Sequence, residues 1–217
     1  MDIAVLGTGS VGRAVSARLD QLGHAVALGT RDPEATTARD DHAAWAATSP
    51  GVRLMTFVDA AATAELLVNA SSGVVTLEVL RSAAVGDRDG TVLLDISNPL
   101  DFSGGFPPTL TVKDTDSLAE QIQREFAGLR VVKALNTLTA ELMVHPGTLP
   151  EPTTVFVCGD DADAKATVTG LLESFGHADV IDLGDLSSAR GAEMFMPLWL
   201  RIMGALGTGS FNIKVVR

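Results

Sequence analysis

Ile3-Ala4-Val5-Leu6-Gly7-Thr8-Gly9-Ser10-Val11-Gly12 decides the reading of this 217-residue chain. A short apolar run breaks into G-x-G-x-x-G, and a helical pattern opens at once. Val11, Val15, Leu19 and Leu22 fall on one face of it, Arg13 and Asp20 on the other. Gly23 stands where the helix needs a residue that can turn left-handed and stop. In a strand–turn–helix, Gly7 makes the tight turn, Gly9 leaves the backbone open to a pyrophosphate, and Gly12 lets helix and strand pack closely. The free N–H groups and dipole at the helix N-terminus then hold phosphates. Glycine clusters also make ordinary turns. Here both flanks of a dinucleotide site are present, because Ala25-Val26-Ala27-Leu28 supplies the second strand about twenty residues on.

The end of that second strand discriminates between dinucleotides. An Asp or Glu there would hold the ribose 2′-hydroxyl of NAD. This chain has Gly29-Thr30-Arg31, and a hydroxyl with a guanidinium suits the 2′-phosphate of NADP. Asp32 follows, and is either a ribose ligand or the cap of a helix opening at Pro33. The balance favours NADP.

Composition narrows the partners. A formal charge of −11 argues against nucleic acid or an anionic membrane. The single cysteine, Cys158, excludes an internal disulfide and fits a reducing compartment; within Val155-Phe156-Val157-Cys158 it reads as a buried structural thiol. The longest apolar segment, Met194 to Leu206, is too short to span a bilayer and contains Arg201. With no leader pattern before the first strand, a soluble cytoplasmic protein is expected.

Strands and helices alternate onward. Helices are expected over Pro33 to Ala47, Asp59 to Ala64, Val74 to Ala84 and Ser117 to about Gly128, the last opened by a Ser117–Glu120 capping box. Strands are expected at Val52 to Phe57, Leu66 to Val68, Thr91 to Ile96 and Val131 to Leu135. Continuous apolar strands separated by helices indicate a parallel sheet covered on both faces, so the fold class is α/β, a Rossmann-type doubly wound sheet. Six strands are complete by Asn136. This places a dinucleotide-binding domain at 1–136 and a small C-terminal lobe at 137–217, with two further strands, an apolar helix and a strand-like tail over Phe211 to Val216. Residues 97–115 form a loop too long for a plain connection.

Ligands of open parallel sheets bind beyond the carboxyl ends of the strands. That rule gathers Asn69 to Ser72 (Asn69, Ala70 and Ser71 foremost), Ser97 to Leu100 with Asn98 and Pro99, and Asn136 to Leu138 with Thr137. Any one of these segments reads equally well as turn chemistry; three at one edge favour a site. Ionisable groups there are few. Lys133 is expected at the surface, and His145 precedes a Pro-Gly turn from which it would reach a site only in a minority of cases. No tyrosine exists to serve as a proton donor, and no His/Cys cluster has metal-ligand spacing. A hydride donor site with no evident general acid suits an acceptor that takes its proton from water. The catalytic residues stay unassigned.

The chain resembles the NADPH-dependent coenzyme F-420 reductases along nearly its whole length. The resemblance is carried by Gly7 to Gly12, Leu22-Gly23-His24, Gly29-Thr30-Arg31 and Val131-Val132-Lys133-Ala134-Leu135-Asn136-Thr137. It continues in Val157-Cys158-Gly159-Asp160-Asp161, Asp182-Leu183-Gly184 and the closing Gly-x-Gly-x-x-x-Ile-Lys. It implies a two-lobed homodimer that transfers hydride between NADPH and a deazaflavin. Thr8, Ser10, Val11, Thr30 and Arg31 would hold NADP, and the tail around Gly207 and Gly209 would wall the acceptor pocket. The chain departs from the family pattern in three places: no second basic residue after Arg31, Asn69-Ala70-Ser71-Ser72 after the fourth strand, and Asn136 where histidine is common. Reduction of another small acceptor (imine, ketone or flavin) and nucleotide sensing without turnover remain alternatives.

Overall fold

In the computed structural model, which describes residues 1–217, the opening run forms strand β1 (Asp2–Leu6) and the glycine loop leads into helix α1 (Ser10–Gln21). There follow β2 (Ala25–Thr30), α2 (Pro33–Thr37), α3 (Asp40–Ala46), β3 (Arg53–Thr56), α4 (Phe57–Ala62), β4 (Leu66–Asn69), α5 (Thr76–Ser82) and β5 (Val92–Asp95). A hairpin of β6 (Leu100–Asp101) and β7 (Thr109–Leu110) precedes α6 (Leu118–Glu125) and β8 (Arg130–Ala134). The chain ends with α7 (Ala140–Val144), β9 (Thr154–Gly159), α8 (Ala162–Phe175), β10 (Asp179–Asp182), α9 (Ala189–Met194) and α10 (Met196–Leu206). No helix is long and apolar enough to cross a membrane.

The large sheet has the order β10-β9-β8-β5-β4-β1-β2-β3. Its first six strands in sequence are all parallel and wind outward from β1 in both directions, as the alternating pattern requires. Successive side chains of a strand face opposite layers. Ile3 and Val5 join a core with Val15, Leu19, Leu142 and Phe175, while Ala4 and Leu6 join one with Phe57, Leu80, Ile122 and Phe126. The sheet does not end at residue 136: β9 pairs antiparallel with β8, and β10 extends it parallel to β9. The division expected there falls inside one sheet and marks a reversal of strand direction.

A third, smaller core lies apart from these layers. Met196, Trp199 and Leu200 of α10 pack with Leu100 and Leu110 of the hairpin and with Phe211 of the tail, which stacks on Trp199 at 5.2 Å between ring centroids. The long loop at 97–115 is thus a hairpin docked on α10. The tail is not a strand. It is held irregularly at the start of β9, where Ile213 O accepts from Thr154 N (3.0 Å) and Val215 N donates to Thr154 Oγ1 (2.8 Å).

The single helix expected over 33–47 is two helices. Thr36 and Thr37 return their hydroxyls to the carbonyls of Asp32 and Pro33, and extended backbone at Arg39 breaks the run. Gly12 and Gly9 differ in a way that experiment can separate. A Cβ on Gly12 would lie 1.8 Å from Gly7 O, whereas one on Gly9 meets nothing within 4 Å. Gly12→Ala should therefore lower the urea midpoint by the equivalent of about 3 kcal/mol. Gly9→Ala should cost no more than about 1 kcal/mol of stability while weakening nucleotide binding. Equal midpoints for the two variants would contradict the packing described.

Candidate functional site

The glycine loop is closed on one side and open on the other. Gly7, at φ +123°, faces Ala70, whose carbonyl would stand 2.7 Å from an added Cβ; its N–H bonds Gly29 O at 3.1 Å. Gly9 caps α1 without any side-chain bond to the first-turn N–H groups, and the first turn holds no acidic residue. These donors and the vacant space over Gly9 suit a pyrophosphate. Thr8 is half-buried and Ser10 exposed at the same opening.

At the end of β2 the two expected phosphate ligands part company. Thr30 is buried, its hydroxyl 2.8 Å from that of Thr36, so it braces α2 instead of facing solvent. Arg31 projects outward with 75% of its side chain exposed, against Glu78 at 3.3 Å. Asp32 is the cap of α2, accepting from Ala35 N at 2.9 Å, which leaves the ribose reading without its ligand.

Beyond the carboxyl ends of β1, β4, β5 and β8 lies a cleft of about 210 Å³. It brings together Val11, Ala70, Ser71, Asn98 and Asn136, with Ser72, Ser97, Leu100 and Leu138 from the same expected segments. The remaining expected members lie behind it. Asn69 is fully buried, with Nδ2 donating to Asp95 (2.7 Å) and Oδ1 accepting from Ser71 Oγ (2.6 Å). Pro99 and Thr137 are buried outside the lining. Gly209 packs against Thr139 and Trp199, while Gly207 ends α10 in the left-handed region. His145 lies away from the cleft, in a separate groove with Arg13, Trp45 and Glu141. No group of three or more His, Cys, Asp or Glu residues is disposed to hold a metal.

Asn98 and Asn136 join the two loops across the cleft. Asn136 Nδ2 donates to Asn98 Oδ1 (2.9 Å) and to Ala192 O (3.0 Å), and Asn98 Nδ2 donates to Asn136 O (2.8 Å). Leu135, just before, is buried at φ +61°, a region disfavoured for a branched side chain, and this turns the chain sharply out of β8. Sequence reasoning missed Met143 from α7, Met196 from α10 and Phe102 from the hairpin. No local signal marks them, since distant packing alone brings them to the edge.

Lys133 corrects the surface assignment outright. It is fully buried, 2.8 Å from Asp95 Oδ2 and 2.9 Å from Glu193 Oε1, and it also donates to Ser97 O. Burial alone would lower its pKa, but the two carboxylates outweigh that and hold it above the usual lysine value. The carboxylates are themselves satisfied. Asp95 accepts from Asn69 and Ser97, and Glu193 from the Leu118 and Ala119 N–H groups that open α6. The strand that carries it, β8, is interior to the sheet between β5 and β9 and has no solvent edge.

Cys158 stands opposite Lys133 in the antiparallel register and is buried as expected. Burial pushes its thiol from 9.0 up to about 12. A raised thiol pKa means that the unfolded chain loses this proton first. The stability is then fully present below pH 9 and drains away as pH climbs towards 12. Urea unfolding should show stability falling by up to about 1.4 kcal/mol per pH unit above pH 9. Cys158→Ala should remove that slope between pH 9 and 10, where Lys133 still keeps its proton in both states. An unchanged slope would place the titration elsewhere.

Comparison with known proteins agrees with this architecture. Residues 2–99 match the family model described as NADP oxidoreductase, coenzyme F-420-dependent. A crystal structure from Arthrobacter sp. FB24, provisionally described as an F-420-dependent NADP-reductase, is 54% identical, with a TM-score of 0.98 and full coverage of both chains. The metalloreductase STEAP3 of Rattus norvegicus is 27% identical over 96% of this chain and 40% of its own length. The F-420-dependent NADP reductase of Methanocaldococcus jannaschii is 29% identical over 50% of this chain and 49% of its own. The chain thus spans less than half the length of these two curated relatives.

Proposed function

The chain belongs to the coenzyme F-420-dependent NADP oxidoreductases and is an NADP-dependent oxidoreductase; we propose that it passes hydride between NADPH and the deazaflavin F-420. One observation carries the choice of acceptor: none of the fourteen residues lining the cleft is ionisable. Such a wall offers no proton to a ketone oxygen or imine nitrogen, and suits an acceptor whose reduced ring takes its proton from water.

NADPH supplies the hydride; the chain supplies position and charge. The α1 N-terminus and the open backbone at Gly9 would hold the pyrophosphate, and Arg31 would meet the 2′-phosphate. Asn98 and Asn136, already tied to each other, present fixed amides at the inner end of the cleft. The apolar remainder, Val11, Leu138, Met143 and Met196, offers flat contact to the reacting rings. Residues 137–217 contribute the acceptor side, with the tail at Gly207 and Gly209 behind it. On α10, Leu198 and Leu206 remain 55% and 58% exposed, and in this reading a second copy of the chain covers them. A cytoplasmic location fits the reading.

Mixing the protein with NADPH and F-420 should bleach the deazaflavin band. Failure with F-420 but turnover with a flavin, an imine or a ketone would reassign the acceptor; tight NADPH binding with no turnover would leave a nucleotide sensor. Arg31→Ala should weaken NADPH roughly 10- to 100-fold and NADH hardly at all. Glu78→Gln, which frees Arg31 from its competing carboxylate, should tighten NADPH alone. Equal losses of NADPH and NADH in Arg31→Ala, measured by titration calorimetry, would show that Arg31 does not read the phosphate.

A further inference from the structure

We infer that Phe102 is the stacking wall for the acceptor ring and makes the site selective for planar, multi-ring acceptors; this rests on the oxidoreductase reading above and names the group that sorts its substrates. The chain has eight phenylalanines. Only Phe102 and Phe106 are largely exposed, at 58% and 65%, and both lie in the hairpin loop between β6 and β7. Leaving aromatic rings in water forfeits the gain of burial, so two within five residues beside a cleft call for a partner.

The two rings differ in place. Phe102 lines the cleft together with Leu100 and Met196, and Phe106 does not. The wall is also held in place. Leu100 and Leu110 anchor the hairpin base in the α10 core, Asp101 Oδ1 accepts from Ser103 N at 2.8 Å, and Phe102 O accepts from Gly105 N at 2.9 Å. An aromatic ring fixed by its backbone and bare on its face gains most from another flat ring laid against it. A small imine or ketone has no such face to offer. With no charged group in the cleft to orient an acceptor, shape and stacking are left to discriminate.

The test reads binding, not turnover. F-420 is titrated into NADP⁺-loaded protein and followed by deazaflavin fluorescence for the wild type, Phe102→Ala, Phe102→Trp and Phe106→Ala. Phe102→Ala should weaken F-420 roughly tenfold while leaving the NADPH affinity and melting temperature unchanged; Phe102→Trp should restore binding, and Phe106→Ala should match the wild type. Wild-type affinity in Phe102→Ala, or an equal loss in Phe106→Ala, overturns the assignment. If the wild type itself binds no F-420, the proposed acceptor falls, and the same titration with riboflavin decides the wall. A Phe102-dependent riboflavin affinity upholds it, and no binding of either ring overturns both.

Discussion

A single buried ammonium holds the working edge of this protein together. Fully buried, Lys133 bonds Asp95, Glu193 and the Ser97 carbonyl from inside the sheet. Each of those groups reaches on to another loop: Asp95 to Asn69 behind the β4 turn, Glu193 to the first N–H groups of α6. Ala192, the neighbour of Glu193, takes a bond from Asn136. Loops after three strands, the start of α6 and the end of α9 are thereby referred to one point. A buried ion pair is weak evidence of net stabilisation, yet removing one partner strands the others at a cost of about 3–5 kcal/mol. Its value here is geometric.

The same arrangement separates charge from chemistry. The ionic groups lie just behind the cleft, while every group lining it is neutral. A neutral cavity backed by fixed dipoles and a buried charge cluster holds its polar amides in a low-dielectric setting, where a hydrogen bond counts for more than in water. Asn98 and Asn136 stand at that boundary, bonded to each other and to the main chain. Exposed charge returns only at the periphery, as at Arg31.

What was legible in the sequence was local. Gly7, Gly9 and Gly12 announce a strand–turn–helix because their spacing follows from backbone sterics within ten residues, and the apolar strands follow from period and length. The site was half legible: the three polar strand ends could be gathered by topology, and Ala70, Ser71, Asn98 and Asn136 do line the cleft. Asn69 and Thr30 were misread because a polar side chain at a strand end can turn inward as easily as outward, and here each finds a buried partner. Lys133 was illegible, since its carboxylates come from positions 38 residues before and 60 after it. Met143 and Met196 carry no mark at all, for methionine on a helix reads first as core.

Leu135 ties the fate of the fold to the fate of the site. A buried leucine in the left-handed region is a conformation that an isolated peptide would abandon, and only the surrounding sheet keeps it. Evolution therefore cannot tune the firmness of this scaffold and the aim of Asn136 as separate traits. A change that relaxes the backbone at this corner gives a sturdier molecule with its Asn136 amide swung elsewhere, so robustness and the shape of the cleft trade against each other at one residue.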